Sequence, residues 1–176
     1  MRSSRVLAAG IFAVTLLLPS ARAGAATGWH SWDSGLQEAG ATSRLVLVDV
    51  YTDWCGWCKR MDRDVYARRD VQDYLARKFV VVRLNAESSE IAHYQGRSLT
   101  SRALAAQFGV NGYPTTIFLS STGSYLGNVP GYTAPGDFLQ LLRYIGDGHM
   151  GRGESFEDFK RGSVGGVSSG TRPGRH

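Results

Sequence analysis

Cys55 and Cys58 stand three positions apart in Asp53-Trp54-Cys55-Gly56-Trp57-Cys58-Lys59, and they are the only cysteines among 176 residues. Two thiols at that spacing can close and reopen a disulfide with little movement of the backbone. The run before them, Leu45 to Tyr51, is nearly continuous in apolar β-formers, as expected of a strand buried on both faces. From Cys55 onward the spacing turns helical: Met61 and Val65 share a face with Cys58, while Lys59, Arg60, Arg63 and Asp64 face water. The pair therefore falls where a strand gives way to a helix, and a helix N-terminus favours a thiolate. The chemistry this implies is thiol–disulfide exchange. Cys55, at the helix start, is the attacking sulfur, and Cys58, one turn inside, resolves the mixed disulfide. A purely structural bridge is the alternative, and closing so small a ring stabilises a fold by at most about 2 kcal/mol.

Other chemistries find less support. A zinc site needs four ligands, and His30, His93, His149 and His176 are scattered without ligand spacing. No metal and no cofactor is expected. The formal charge of +5 divides unevenly: residues 1–23 hold three Arg and no acid, 24–148 hold twelve basic and twelve acidic residues, and the remainder holds five basic and three acidic. A neutral body lacks the clustered cations that nucleic-acid binding requires.

Arg2 and Arg5 precede an apolar run from Val6 to Leu18, and Ala21 and Ala23 supply small residues before a cleavage point after Ala23. Residues 1–23 are expected to be a secretory signal peptide, since 13 apolar residues are short for a membrane span of about 20. An uncleaved anchor is the alternative. One domain is expected over 24–147. The stretch 148–176, rich in Gly, Ser and Arg, is expected to be disordered, with Phe156 and Phe159 leaving room for a short docking helix.

Within the domain, Trp32, Leu36 and Ala39 recur at helical spacing before a turn at Gly40. Asp70 is expected to cap a helix carrying Val71, Tyr74 and Leu75, followed by a strand from Phe79 to Leu84. A polar stretch, Asn85 to Thr100, leads into a helix with Leu104, Ala105 and Phe108 that ends at Gly109. Thr115–Leu119 and Tyr125–Val129 should form a hairpin, and Thr133 should cap a last helix with Pro135 in its first turn. Helices alternating with strands, then a hairpin and a closing helix, predict an α/β domain with a mixed sheet.

Strand, Trp-Cys-Gly-x-Cys-Lys and helix in that order resemble the active-site signature of the thioredoxin superfamily. Asp49 lies six residues before Cys55, Gly112-Tyr113-Pro114-Thr115 opens the third strand, and Gly131 precedes the last helix, as in that family. Cys58-Lys59-Arg60-Met61-Asp62 and Val71-Gln72-Asp73-Tyr74-Leu75 look most like the periplasmic C-terminal domain of the transmembrane thiol–disulfide interchange reductases and its exported single-domain relatives. The resemblance covers about residues 30–147. It departs at Trp57, where thioredoxin has proline, and in the extra length of Glu87 to Ser101.

The resemblance implies a thioredoxin-like fold with a central mixed β-sheet flanked by helices. It also implies a cis Pro114 that offers backbone groups to a substrate strand. Asp49, desolvated in its strand, should have a raised pKa and exchange a proton with Cys58, unless it is solvated at the strand's end. Trp57 and Tyr113 are expected to form an apolar lip for substrate, Trp54 to shield the disulfide, and Gly56 to keep the first helical turn slim. Lys59 and Arg60 most simply form a solvated face. The implied function is that of an exported, monomeric protein-disulfide reductase, with a membrane-embedded thiol reductant carrier as donor. A disulfide oxidase or isomerase, and a non-catalytic binding module with an inert disulfide, are the alternatives.

Overall fold

A computed structural model describes residues 28–165; the expected signal peptide, 1–23, and the end of the tail lie outside them. Strand β1, Leu45–Tyr51, forms the middle of the domain because its apolar side chains can be covered on both sides. It pairs in parallel with β2, Phe79–Asn85, and antiparallel with β5, Thr115–Leu119. β5 continues into a hairpin with β6, Tyr125–Pro130, so the sheet is mixed, with order β2-β1-β5-β6.

Side chains alternate between its faces. Val46, Val48 and Val50 join one buried cluster with Trp32, Leu104 and Ile117, under helices α1, Trp32–Thr42, and α4, Ser101–Gln107. Leu47 joins the other with Met61, Leu75, Phe118 and Phe138, under α2, Gly56–Met61, α3, Arg69–Lys78, and α5, Pro135–Gly146. Gly35 is required for the first packing, since a Cβ there would stand 2.2 Å from Val82 Cγ2. At Asp62 the α2 helix widens into a π turn, Asp62–Tyr66, which lets the consecutive residues Val65 and Tyr66 both turn inward.

Several boundaries differ from the sequence reading. Helix α1 runs through Gly40 and ends at Ser43, whose left-handed φ of 54° stops it. Arg68, not Asp70, occupies the N-cap of α3; Asp70 lies in the first turn, where it pairs with Arg68 at 2.8 Å. Ala134, not Thr133, caps α5, with Pro135 as its first residue.

The polar stretch after β2 is not a plain loop. It holds a second hairpin, β3, Ile91–Tyr94, and β4, Arg97–Thr100. Ala92 and Tyr94 point inward, Trp32 Nε1 donates to His93 O at 3.0 Å, and the Tyr94 hydroxyl donates to Gly123 O at 3.1 Å. The stretch from 148, expected to lack order, carries a 3-10 turn, Met150–Arg152, and helix α6, Phe156–Gly165. Phe156 and Phe159 pack on Tyr144 at centroid distances of 5.3 and 5.7 Å. Those rings supply the burial that the Gly- and Ser-rich composition conceals. No helix among the described residues is long and apolar enough to cross a membrane.

Candidate functional site: a disulfide at the end of the sheet

Beyond Tyr51 the chain leaves the sheet, and Cys55 takes the N-cap of α2. Cys55 and Cys58 are joined as a disulfide, with Cα atoms 5.3 Å apart. The first-turn N–H of Cys58 donates to Cys55 Sγ at 3.0 Å, so a donor of the helix start is aimed at the sulfur nearer the N-terminus. Both cysteines are only 4% exposed, whereas Trp54 and Trp57 beside them are 67% and 54% exposed. A Cβ at Gly56 would meet nothing within 4 Å, so lack of room does not select glycine there.

The aromatic neighbours are exchanged relative to expectation. Trp54 meets Tyr113 edge-on at 6.0 Å, and Trp57 lies against Tyr132 at 5.6 Å. The Tyr113–Pro114 peptide bond is cis, and Pro114 O accepts from Gly131 N at 2.7 Å. Gly131 has a φ of 83°, a conformation suited to glycine in the turn that carries Tyr132.

Asp49 is 2% exposed and sits between Arg83 on β2 and Thr116 on β5. Burial pushes its carboxyl up to about 7; the positive charge of Arg83 opposes that rise, and the negative charge of Asp62 adds to it. Arg83 Nε lies 3.4 Å from Asp49 Oδ2 without hydrogen-bond alignment, and Asp49 Oδ1 has no partner among the described residues. The other arm of the guanidinium is ion-paired with Asp62, and its plane lies 4.5 Å from the Trp29 ring and 5.2 Å from Tyr51. Burial, with the Asp49 carboxylate, drives the Tyr66 phenol well above its ordinary value.

Arg83, Asp62, Tyr66 and Tyr132 were not singled out as site residues from the sequence. Arg83 left a signal, a lone cation within the apolar run Phe79-Val80-Val81-Val82-Arg83-Leu84. Tyr132 left none, because only the β5–β6 hairpin brings it to Trp57. His93, read as a surface residue, pairs with Asp33 at 2.7 Å in the second hairpin. The buried cysteine pair, with a helix-start N–H on Cys55 Sγ, is an arrangement that can carry out thiol–disulfide exchange.

Comparison with known proteins agrees. The chain is 34% identical over 112 residues to the thiol:disulfide interchange protein DsbD of Ralstonia nicotianae, covering 63% of this chain and 17% of that protein. It is 36% identical over 85 residues to protein disulfide-isomerase of Gallus gallus, covering 48% of this chain and 14% of that one. The chain thus spans less than a fifth of the length of these curated relatives. Among solved structures, a thioredoxin-fold protein from Helicobacter pylori superposes with a TM-score of 0.61 at 22% identity, covering 69% of this chain and 80% of that one, which establishes the fold. The family described as thioredoxin-like domain matches residues 32–146, and the chain belongs to that family.

Proposed function

We propose that this protein is an exported, periplasmic protein-disulfide reductase that acts as a monomer. The observation that carries the reading is the Cys55–Cys58 disulfide at a helix start, with the Cys58 N–H directed at Cys55 Sγ. In the reduced protein, the Cys55 thiolate attacks one sulfur of a client disulfide. A Cys55–client bond forms, and the other client sulfur leaves as a thiolate and takes up a proton. Cys58 then gives up its proton, attacks Cys55 Sγ and expels the second client sulfur. Two electrons have passed to the client, and the protein is left with its own disulfide.

Asp49, with a carboxyl pushed up to about 7, has the affinity to take the Cys58 proton and return it near neutral pH. Trp54, Gly56 and Trp57, next to the cysteines in sequence, and Tyr113 and Pro114, which meet them through the Trp54–Tyr113 contact, are assigned to hold the client segment. The electrons are restored by a membrane-embedded thiol reductant carrier, in keeping with likeness to an interchange protein.

An insulin-reduction assay tests the activity: wild type should precipitate the B chain, and equal turbidity traces from wild type and Cys55→Ser would leave only a binding role. Likeness to a disulfide-isomerase supports oxidation or isomerisation as a second reading. Equilibration with glutathione separates the two directions. A potential below about −170 mV is expected, and a higher one would reverse the assignment to oxidation.

A further inference from the structure

The two faces of the sheet reach the disulfide end with opposite charge. On the face packed by Val46, Val48 and Val50, Tyr113 lies against the core and Trp54 meets its ring. Glu87 accepts the Trp54 indole N–H on both carboxylate oxygens, at 3.0 and 3.1 Å. Asp53, next to Trp54, accepts from Asn85 Nδ2 at 3.3 Å. Neither carboxylate is ion-paired among the described residues; Arg102 Nη2 donates to the Glu87 main-chain O at 3.1 Å and offsets one of the two negative charges, which leaves this wall a negative surplus. On the opposite face, packed by Leu47 and Phe118, Tyr132 lies against the core and Trp57 against Tyr132. The Arg60 guanidinium covers both rings, 5.1 Å from Trp57 and 5.3 Å from Tyr132. Arg60 and Arg63 share the single carboxylate of Asp64, and exposed Lys59 has no ion pair among the described residues, so this wall keeps a positive surplus.

We propose that the disulfide lies in a charge-polar cleft, anionic along Trp54–Glu87 and cationic along Trp57–Arg60. It selects client segments that carry opposite charges on the two sides of the cysteine under attack. The inference deepens the proposed reductase and rests on exchange with protein clients at this disulfide. A mobile surface charge contributes little to recognition, because it must be immobilised on binding. Glu87 and Arg60 are already held, one by an indole N–H and the other by two ring faces. The exposed tryptophans provide apolar contact in either orientation of the client, and the charges distinguish one orientation from the other. Complementary charge acts mainly on association rate and specificity, so the effect belongs in the rate of attack.

Two disulfide-linked homodimeric peptides of identical composition test this, one with lysines before and glutamates after its cysteine, the other with that order reversed. A third carries serines in both flanks. Pre-reduced protein mixed with each in single turnover should reduce one charged peptide about fivefold faster than the other at about 20 mM salt, and the ratio should fall within about twofold at about 500 mM. The double variant Arg60→Gln with Glu87→Gln, whose new amide oxygen still offers the Trp54 indole an acceptor, should bring the ratio within about twofold at low salt as well. Equal rates for the two orders in wild type overturn the proposal. So does a ratio that survives either high salt or the double substitution. If wild type reduces none of the three peptides, including the serine one, the exchange reading itself fails and the cleft falls with it.

Discussion

The Asp49 carboxylate is held between two opposed influences, burial and Arg83, and each makes a separate prediction. With a carboxyl near 7 in the folded protein against an ordinary value of 3.8, the fold binds the Asp49 proton more tightly than the unfolded chain does. Stability is therefore lost as pH rises from about 4 to about 7, and the loss is complete above that window. Asp49→Asn should remove this decline and stabilise the oxidised protein at pH 8 by on the order of 2 kcal/mol. Urea midpoints at pH 5 and pH 8 report it, and the same pH slope in both proteins would exclude a buried charge as the cause. In catalysis, the wild-type rate should fall as pH drops through about 7, and Asp49→Asn should flatten that inflection. Arg83→Gln removes the opposing cation and should move the inflection to higher pH; Asp62→Asn should move it lower. A pH–rate profile showing the same direction of shift for both would contradict the arrangement of the three residues.

At the scale of elements, strand register does the positioning. β1 pairs Asp49 with Arg83 on one side and Thr116 on the other, so three separate sequence segments meet at one carboxylate. These strands were legible because each is a nearly continuous run of apolar and β-branched residues, whereas β3 and β4 were not. In β3, Ala92 and Tyr94 alone point inward, and the exposed Ile91 and His93 disguise the alternation. Tyr94→Phe should lower stability by about 1 kcal/mol through loss of the bond to Gly123 O, with insulin reduction unchanged because Tyr94 contacts Gly123, Trp32 and Phe108 rather than the cysteines or their aromatic neighbours. Helix α6 escaped the composition argument for a related reason: two phenylalanines suffice to dock it when Tyr144 waits on α5. Ending the chain after Gly153 should uncover that ring and cost about 1–3 kcal/mol, read as a lower urea midpoint.

For the whole molecule, the decisive arrangement is a two-faced sheet with a separate core on each face and the Cys55–Cys58 disulfide at its end. Each face supports one aromatic wall, so the disulfide is covered yet bordered by exposed rings. A Cys58→Ser variant should hold its clients as stable mixed disulfides, because the attack that releases them is missing. Non-reducing electrophoresis of envelope extracts should show adducts that vanish in the double Cys55→Ser, Cys58→Ser variant. Their persistence in the double variant would mean that the captured proteins are not bound through Cys55.

By itself the sequence settled what depends on neighbours along the chain: the Cys55/Cys58 pair at a strand–helix junction, the apolar strands, and the carboxylate Asp49 set into one of them. Short-range spacing and hydrophobic periodicity carry that information directly. Tertiary structure alone decided which residues stand across from these. Arg83 reaches Asp49 through the parallel register of two strands distant in the chain, Tyr132 reaches Trp57 over a hairpin, and Glu87 reaches Trp54 from the far end of β2. Those partners are set by how sheet and helices close on one another, and the charge of each wall follows from that closure.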